Sequence, residues 1–223
     1  KELSSYFSEK ALMRYRLLIE VEYLILLGKE KNIKELTAFS KNQKHNLRKL
    51  YKNFTDADAK KIKNIEKRIK HDVKSVEYFL QSNLAKKHQP WVHFALTSED
   101  VNNLSYSLMW KDGINDIYLP SLFQIQKNIK NLAKKNKNVS MLSLTHGQPA
   151  TPTTFGKELA VFAARLSRQV DQIEAHRLLG KFGGATGTWS AQMAAYPKVN
   201  WIKFAAKFIK TIGLNPNMIT TQI

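Results

Sequence analysis

All-α is the fold class this sequence predicts, and three observations predict it. Apolar residues recur at steps of three and four through most of the chain. Residues that favour helix caps stand directly ahead of those runs. Sustained alternation of the strand type is absent, and no Asn-Gly or Asp-Gly pair separates two strand-like runs. The elements follow in order. Ser8 is placed to cap a helix whose apolar face runs Leu12, Tyr15, Ile19, Tyr23 and Leu26, with Gly28 as its stop. Thr55 and Asp58 have capping-box spacing ahead of Ile62, Ile65 and Ile69. Asp72 is expected to cap a helix carrying Val73, Val76, Phe79 and Leu80. Thr97 and Asp100 repeat the box ahead of Val101, Leu104, Leu108 and Met109, and Pro120 is expected to stop that helix. Leu122, Ile125, Ile129 and Leu132 mark the next. The longest helix is expected from about Phe155 to Leu179, ended by Gly180, and a short one between Asn200 and Gly213.

Composition narrows the class further. With 223 residues, 43% of them hydrophobic, the chain can bury a sizeable core. The absence of cysteine excludes a disulfide framework, thiolate zinc sites and cysteine nucleophiles together. The longest apolar stretches, such as Tyr23–Leu27, are far too short to span a bilayer, and no leader-like pattern opens the sequence. The expectation is a soluble, cytoplasmic protein without a membrane partner. Composition shifts near Lys86–Pro90, from short lysine-rich helices to longer, more apolar ones, which places an N-terminal helical domain at 1–88 and the first part of a long-helix domain at 89–223. No internal repeat of 20–50 residues is found.

The formal net charge of +18 raises the question of an acidic partner. The basic residues are 29 Lys and 7 Arg, accompanied by 16 Asn. Readers of base edges and phosphates favour arginine, whose planar fork binds in a bidentate manner. A lysine and asparagine excess spread over the chain reads instead as compositional drift and a solvated basic face. The densest stretch, Lys41–Lys70, keeps helical apolar spacing, and no nucleic-acid partner is expected. A basic helical nucleic-acid-binding protein is the alternative, and its mark would be binding that falls steeply with salt.

Three segments break the helical rhythm with residues a plain bundle does not require: Lys70-His71-Asp72-Val73, Thr97-Ser98-Glu99-Asp100-Val101-Asn102-Asn103, and Thr145-His146-Gly147-Gln148-Pro149-Ala150-Thr151-Pro152-Thr153-Thr154. The last reads as a polar loop ahead of the longest helix. Each lies at an expected helix N-terminus, where unpaired N–H groups and a partial positive charge suit anionic ligands. Taken singly, Asp72, Thr97 and Thr153 or Thr154 read as ordinary caps. Two of the ends also carry a histidine, His71 and His146, able to act as acid, base or donor near neutral pH. Gly147 and the flanking prolines fix the backbone path around His146. Other signals are weaker. Gly183-Gly184-Ala185-Thr186-Gly187 lacks the Gly-Lys-Ser/Thr ending of a phosphate loop and reads as a tight helix connection. His88 and His93 stand alone, so no metal site is expected. No serine sits in a nucleophile elbow.

Taken in order, the segments Lys-His-Asp-Val-Lys-Ser-Val-Glu-Tyr-Phe, His-Phe-Ala-Leu-Thr-Ser-Glu-Asp-Val-Asn-Asn and Thr-His-Gly-Gln-Pro-Ala-Thr-Pro-Thr-Thr-Phe-Gly-Lys-Glu resemble bacterial-type adenylosuccinate lyases, the purine branch of the fumarase/aspartase superfamily. So do Gly184-Ala185-Thr186-Gly187, Ala194-Ala195-Tyr196-Pro197 and Thr220-Thr221-Gln222-Ile223. The resemblance implies a β-elimination that releases fumarate from adenylosuccinate, giving AMP, and from the succinylated aminoimidazole carboxamide ribotide. By the same resemblance, His146 is the general acid on the leaving nitrogen. Thr97 and Ser98 bind the succinyl part, Lys70, His71 and Asp72 contact and orient the substrate, and Gln222 binds it. No cofactor is implied. The family's homotetramer is built around long central helices, for which the helix from Phe155 is a candidate.

Two departures from the family pattern stand out. Lys70 replaces the usual Asn or Arg before His-Asp. The family's catalytic serine loop, Ser-Ser-x-Met-Pro-x-Lys-x-Asn, is absent from the sequence, as is its Gly-Arg-Tyr segment. The resemblance therefore implies the N-terminal domain and the first part of the central domain, inactive alone. A non-catalytic relative is the remaining alternative.

Overall fold

The computed structural model describes residues 1–223. Ten α-helices dominate: α1 (Ser4–Phe7), α2 (Glu9–Leu27), α3 (Lys41–Lys52), α4 (Asp56–Ile69), α5 (Asp72–Ser82), α6 (Ser98–Gly113), α7 (Leu119–Lys135), α8 (Phe155–Ala175), α9 (Ser190–Ala195) and α10 (Trp201–Thr211). Four short strands accompany them: β1 (Ser140–Thr145), β2 (Gln148–Thr154), β3 (Leu179–Gly180) and β4 (Asn215–Pro216). No helix is long and apolar enough to cross a membrane. The chain divides into two compact units, one of residues 1–112 with 177–223 and the other of residues 113–176. The composition shift at Lys86–Pro90 falls inside the first unit, where Lys86–Trp91 forms a 3-10 helix.

In the first unit the caps at Ser8, Thr55 and Asn200 act where the sequence places them. Ser8 accepts the Ala11 N–H at the start of α2, and Gly28 closes its end. Thr55 and Asp58 form the reciprocal box that opens α4. Ser40 and Gln43 form a second such box ahead of α3, at a site the apolar pattern did not mark. Asn200 caps α10 by accepting the Lys203 N–H at 2.9 Å. Helix α2 is the centre of the core. Leu17, Ile19, Val21, Tyr23, Leu24 and Leu27 have no exposed surface, and burying each aliphatic side chain contributes roughly 1.5–3 kcal/mol. Around it pack α3, α4 and α5. Tyr23 is also ringed edge-on by Phe182, Phe204 and Phe208, which brings the loop after β3 and helix α10 into the same core.

The second unit is simpler. A π turn (Ile114–Tyr118) leads into α7, and α7 packs on α8. The backbones come close at Gly156, where a Cβ atom would run into the Ala133 carbonyl oxygen. Few side chains are buried: Leu119, Gln126, Ala133, Ala163 and Val170. Between the helices, β1 and β2 pair antiparallel in a hairpin, with Thr145 opposite Gln148.

Three local expectations are corrected. Pro120 does not stop a helix; it occupies the first turn of α7, where its missing N–H has no partner to lose, and the π turn directly precedes it. The segment 145–154 is not a loop but the turn and second strand of a hairpin. The longest helix ends at Ala175, because the backbone beyond it extends so that β3 pairs in parallel with β4. Asn215 and Asn217 donate their N–H groups to Leu178 and Gly180 there.

Candidate active site

The ends of α5 and α6 are built by side chains from other elements. His71, not Asp72, is the N-cap of α5: its Nδ1 accepts the Lys74 N–H at 3.2 Å. That bond uses the Nδ1 lone pair, so the capping imidazole carries its proton on Nε2. Asp72 is instead drawn to α2, where its Oδ2 accepts from an Arg16 Nη2 at 2.6 Å. Partial burial pushes the Asp72 carboxyl up, but the Arg16 guanidinium and backbone N–H donation outweigh this and hold it below the usual carboxylate range. The same guanidinium donates from Nε to Asn102 Oδ1 at 2.9 Å, on the first turns of α6. Arg16 thus ties Asp72 to the helix that Ser98 opens. Lys70 is exposed at the end of α4, in the left-handed region with φ of 58°, and no ion pair holds its ammonium group.

Behind Thr97 and Ser98 lies a buried ionic centre. Asp100 accepts the Thr97 N–H at 3.0 Å, and the Gly183 and Gly184 N–H groups at 3.1 Å each. Lys181 pairs with the same carboxylate at 2.9 Å, and both side chains are almost wholly buried. Asn103 adds a second tie, accepting the Lys181 N–H at 2.8 Å and donating to the Lys181 carbonyl at 3.0 Å. The glycine-rich turn is therefore locked to the N-terminus of α6. At its far end Gly187 has φ of 78°, and a Cβ there would lie 2.1 Å from the Thr220 carbonyl oxygen. Only glycine lets the Thr220–Gln222 segment cross so closely, with Gln222 exposed beyond the crossing.

His146 belongs to the second unit. With Gly147 it forms the two-residue turn between β1 and β2, at φ of 50° and 75°. Two successive positive φ values define a type I′ turn, the form that matches strand twist. The imidazole is exposed at the hairpin tip. Leu142 and Leu144 on β1 are exposed as well.

Residue patterns alone did not mark Arg16, Glu20, His93 or Lys181. Glu20 is fully buried in α2, and its carboxylate contacts His93 Nδ1 at 2.5 Å while accepting the His93 N–H at 3.1 Å. Burial alone would push the His93 imidazole down, but the carboxylates of Glu20 and Glu77 outweigh that and raise it. A signal existed: Arg16 and Glu20 are charged residues four apart that interrupt the apolar spacing of α2. No cluster of three or more histidine, cysteine or acidic side chains could hold a metal ion.

Buried ionic groups thus hold the helix ends that carry His71, Thr97 and Ser98, and sequence comparison gives the class of the chain. The signature of the lyase family matches residues 1–222, so the chain belongs to that family. Its curated relatives include the adenylosuccinate lyase of Legionella pneumophila strain Philadelphia 1, 45% identical and matched over 100% of this chain and 50% of its own length. The adenylosuccinate lyase of Escherichia coli K12 is 42% identical over 99% of this chain and 50% of its own length. The chain spans about half the length of these curated relatives. Among solved structures, a fumarate lyase from Mesorhizobium sp. BNC1 superposes with a TM-score of 0.77 at 17% identity, over 98% of this chain and 49% of that one. A β-carboxy-cis,cis-muconate cycloisomerase from Acinetobacter calcoaceticus gives 0.73 at 19%, over 98% and 50%. At these identities the two structures speak for the fold alone.

Proposed function

We propose that the chain serves an adenylosuccinate lyase, which cleaves the C–N bond of adenylosuccinate to give AMP and fumarate. The observation that carries this reading is the 45% identity with a curated adenylosuccinate lyase along the whole chain. In the reaction, a base removes a proton from the succinyl Cβ. The Cα–N bond then breaks, its electrons go to the purine amino nitrogen, and an acid protonates that nitrogen. His146 is the acid. Its exposed position on a two-residue turn leaves the imidazole free to meet a substrate, and a histidine is well matched to proton transfer near neutral pH. Thr97 and Ser98 hold the succinyl carboxylates at the start of α6, where hydroxyls and N–H groups suit an anion. His71 donates from Nε2, with Asp72 and Lys70 beside it orienting the substrate, and Gln222 contributes an amide. The succinylated carboxamide ribotide carries the same succinyl group, on a carboxamide nitrogen instead of the purine amino nitrogen, and is a second substrate of the same site.

The assembly we propose is a homotetramer in the cytoplasm with α8 in a shared helical bundle. Phe123, Leu132 and Phe162 on the helices of the second unit are exposed and would be covered there. The full-length protein, incubated with adenylosuccinate, is expected to release fumarate and AMP in equal amounts. A folded full-length protein that releases no fumarate would overturn the reading.

A further inference from the structure

We infer that Arg16, Glu20 and Tyr23 form a positioning ridge on α2 that sets the geometry of the two substrate-binding ends, and this rests on the function proposed above. The three side chains lie one helical turn apart on one face of α2. Each is buried; Arg16 bonds to both candidate ends, and Glu20 and Tyr23 hold the segment that leads into α6. Arg16 holds Asp72 on α5 and Asn102 on α6 with a single planar group. Glu20 grips His93 through both the backbone N–H and the ring. The Tyr23 hydroxyl donates to the Phe94 carbonyl at 2.7 Å. The segment so gripped is under strain: His93 and Ala95 both sit in the left-handed region, at φ of 59° and 55°. Non-glycine residues persist there only where the surroundings over-determine them, and such strain gathers at functional sites. Two residues later the chain reaches Thr97 and Ser98.

A core this apolar does not require the ridge for burial. The other paired polar groups of α2 point elsewhere, Glu22 to Arg48 and Tyr51 of α3 and Tyr15 to Asp112, while the buried Leu17, Ile19, Val21 and Leu24 flank the ridge with hydrocarbon. A polar stripe there costs desolvation, offset only when every group is paired. Its paired groups all converge on the segments that carry His71, Asp72, Thr97 and Ser98. None of the three residues needs to touch the substrate, so they are positioning residues.

Arg16→Lys in the full-length protein tests this. Lysine keeps the charge but cannot span Asp72 and Asn102 with one rigid fork. The expected result is a KM for adenylosuccinate raised tenfold or more, kcat within threefold of wild type, and faster amide hydrogen exchange confined to residues 70–75 and 93–103. A KM within twofold of wild type, or a loss of activity that merely follows the folded fraction, would overturn the ridge. Should Arg16→Lys fail to fold, Asn102→Ala cuts the same link from a partly exposed position, with the same shift in KM expected in a smaller degree and the same overturning result. If wild type releases no fumarate, the proposed function fails by itself. The exchange pattern then decides the ridge alone: unchanged exchange at both segments overturns it.

Discussion

The two units hold their candidate residues in opposite ways. In the first, Asp72, Thr97 and Ser98 stand on helix ends fixed by buried charges: Arg16 from α2, and the Asp100–Lys181 pair from α6 and the glycine turn. In the second, His146 stands on a hairpin tip whose strands are largely exposed and whose position owes nothing to buried ionic groups. The difference matches the chemistry proposed for each. Groups that bind carboxylates gain from a stiff setting, since binding geometry lost to motion is affinity lost. A proton donor must meet the leaving nitrogen, and the hairpin turn leaves the His146 imidazole exposed at its tip. The comparison also predicts where substitutions damage the fold and where they damage only turnover.

Asp100→Ala should be the most harmful to the fold. It leaves the Lys181 ammonium buried without a partner and strips an acceptor from Gly183, Gly184 and Thr97. Breaking a buried pair from one side costs about 3–5 kcal/mol. Urea unfolding should show a loss of that order, and a loss under 1 kcal/mol would show that the pair does not anchor the first unit.

A second expectation concerns pH. His93 is raised above the ordinary histidine value of 6.5 by Glu20 and Glu77, against the opposing effects of burial and of Lys74. A raised folded value means that the protonated form stabilises the fold fully below pH 6.5, and that this contribution is lost as pH climbs through the raised value. Unfolding free energy should therefore fall as pH rises above 6.5 and through the raised value. In His93→Asn that fall should flatten; equal slopes in the two proteins would contradict the pairing.

The smallest effect is expected at Lys70. Its left-handed backbone costs a side-chain-bearing residue about 1–2 kcal/mol, partly offset in a glycine by greater freedom when unfolded. Lys70→Gly should then raise stability by roughly 0.5–1 kcal/mol. A destabilised variant in urea titration would mean that the lysine side chain makes up the difference by packing.

Much of the first unit was legible in the sequence, because α2, α4 and α10 open on caps with local mechanisms. Ser8, Thr55 and Asn200 act within three residues of themselves, and sequence shows that range well. The buried ties are not local. Arg16 reaches Asp72 and Asn102 across 56 and 86 positions, and Lys181 reaches Asp100 across 81, so periodicity could only flag polar residues in an apolar helix. His71 was legible as a candidate, but not as the cap, since an imidazole is an unusual acceptor there. The hairpin escaped because its turn is His-Gly rather than Asn-Gly, because Pro149 and Pro152 lie in β2, and because a bulge between Leu142 and Leu144 breaks the alternation. Pro120 misled for a related reason: a proline that stops one helix can equally begin the next.

The most direct measurement uses the turn itself. Asparagine accepts the left-handed conformation readily and is the preferred partner of glycine in this turn, so His146→Asn keeps the hairpin while removing the imidazole. Fumarate release from adenylosuccinate by the full-length His146→Asn protein should fall in kcat by about 100-fold or more, with the unfolding midpoint unchanged. Turnover near the wild-type rate in that variant would contradict the role of His146, and with it the division of labour between the two units.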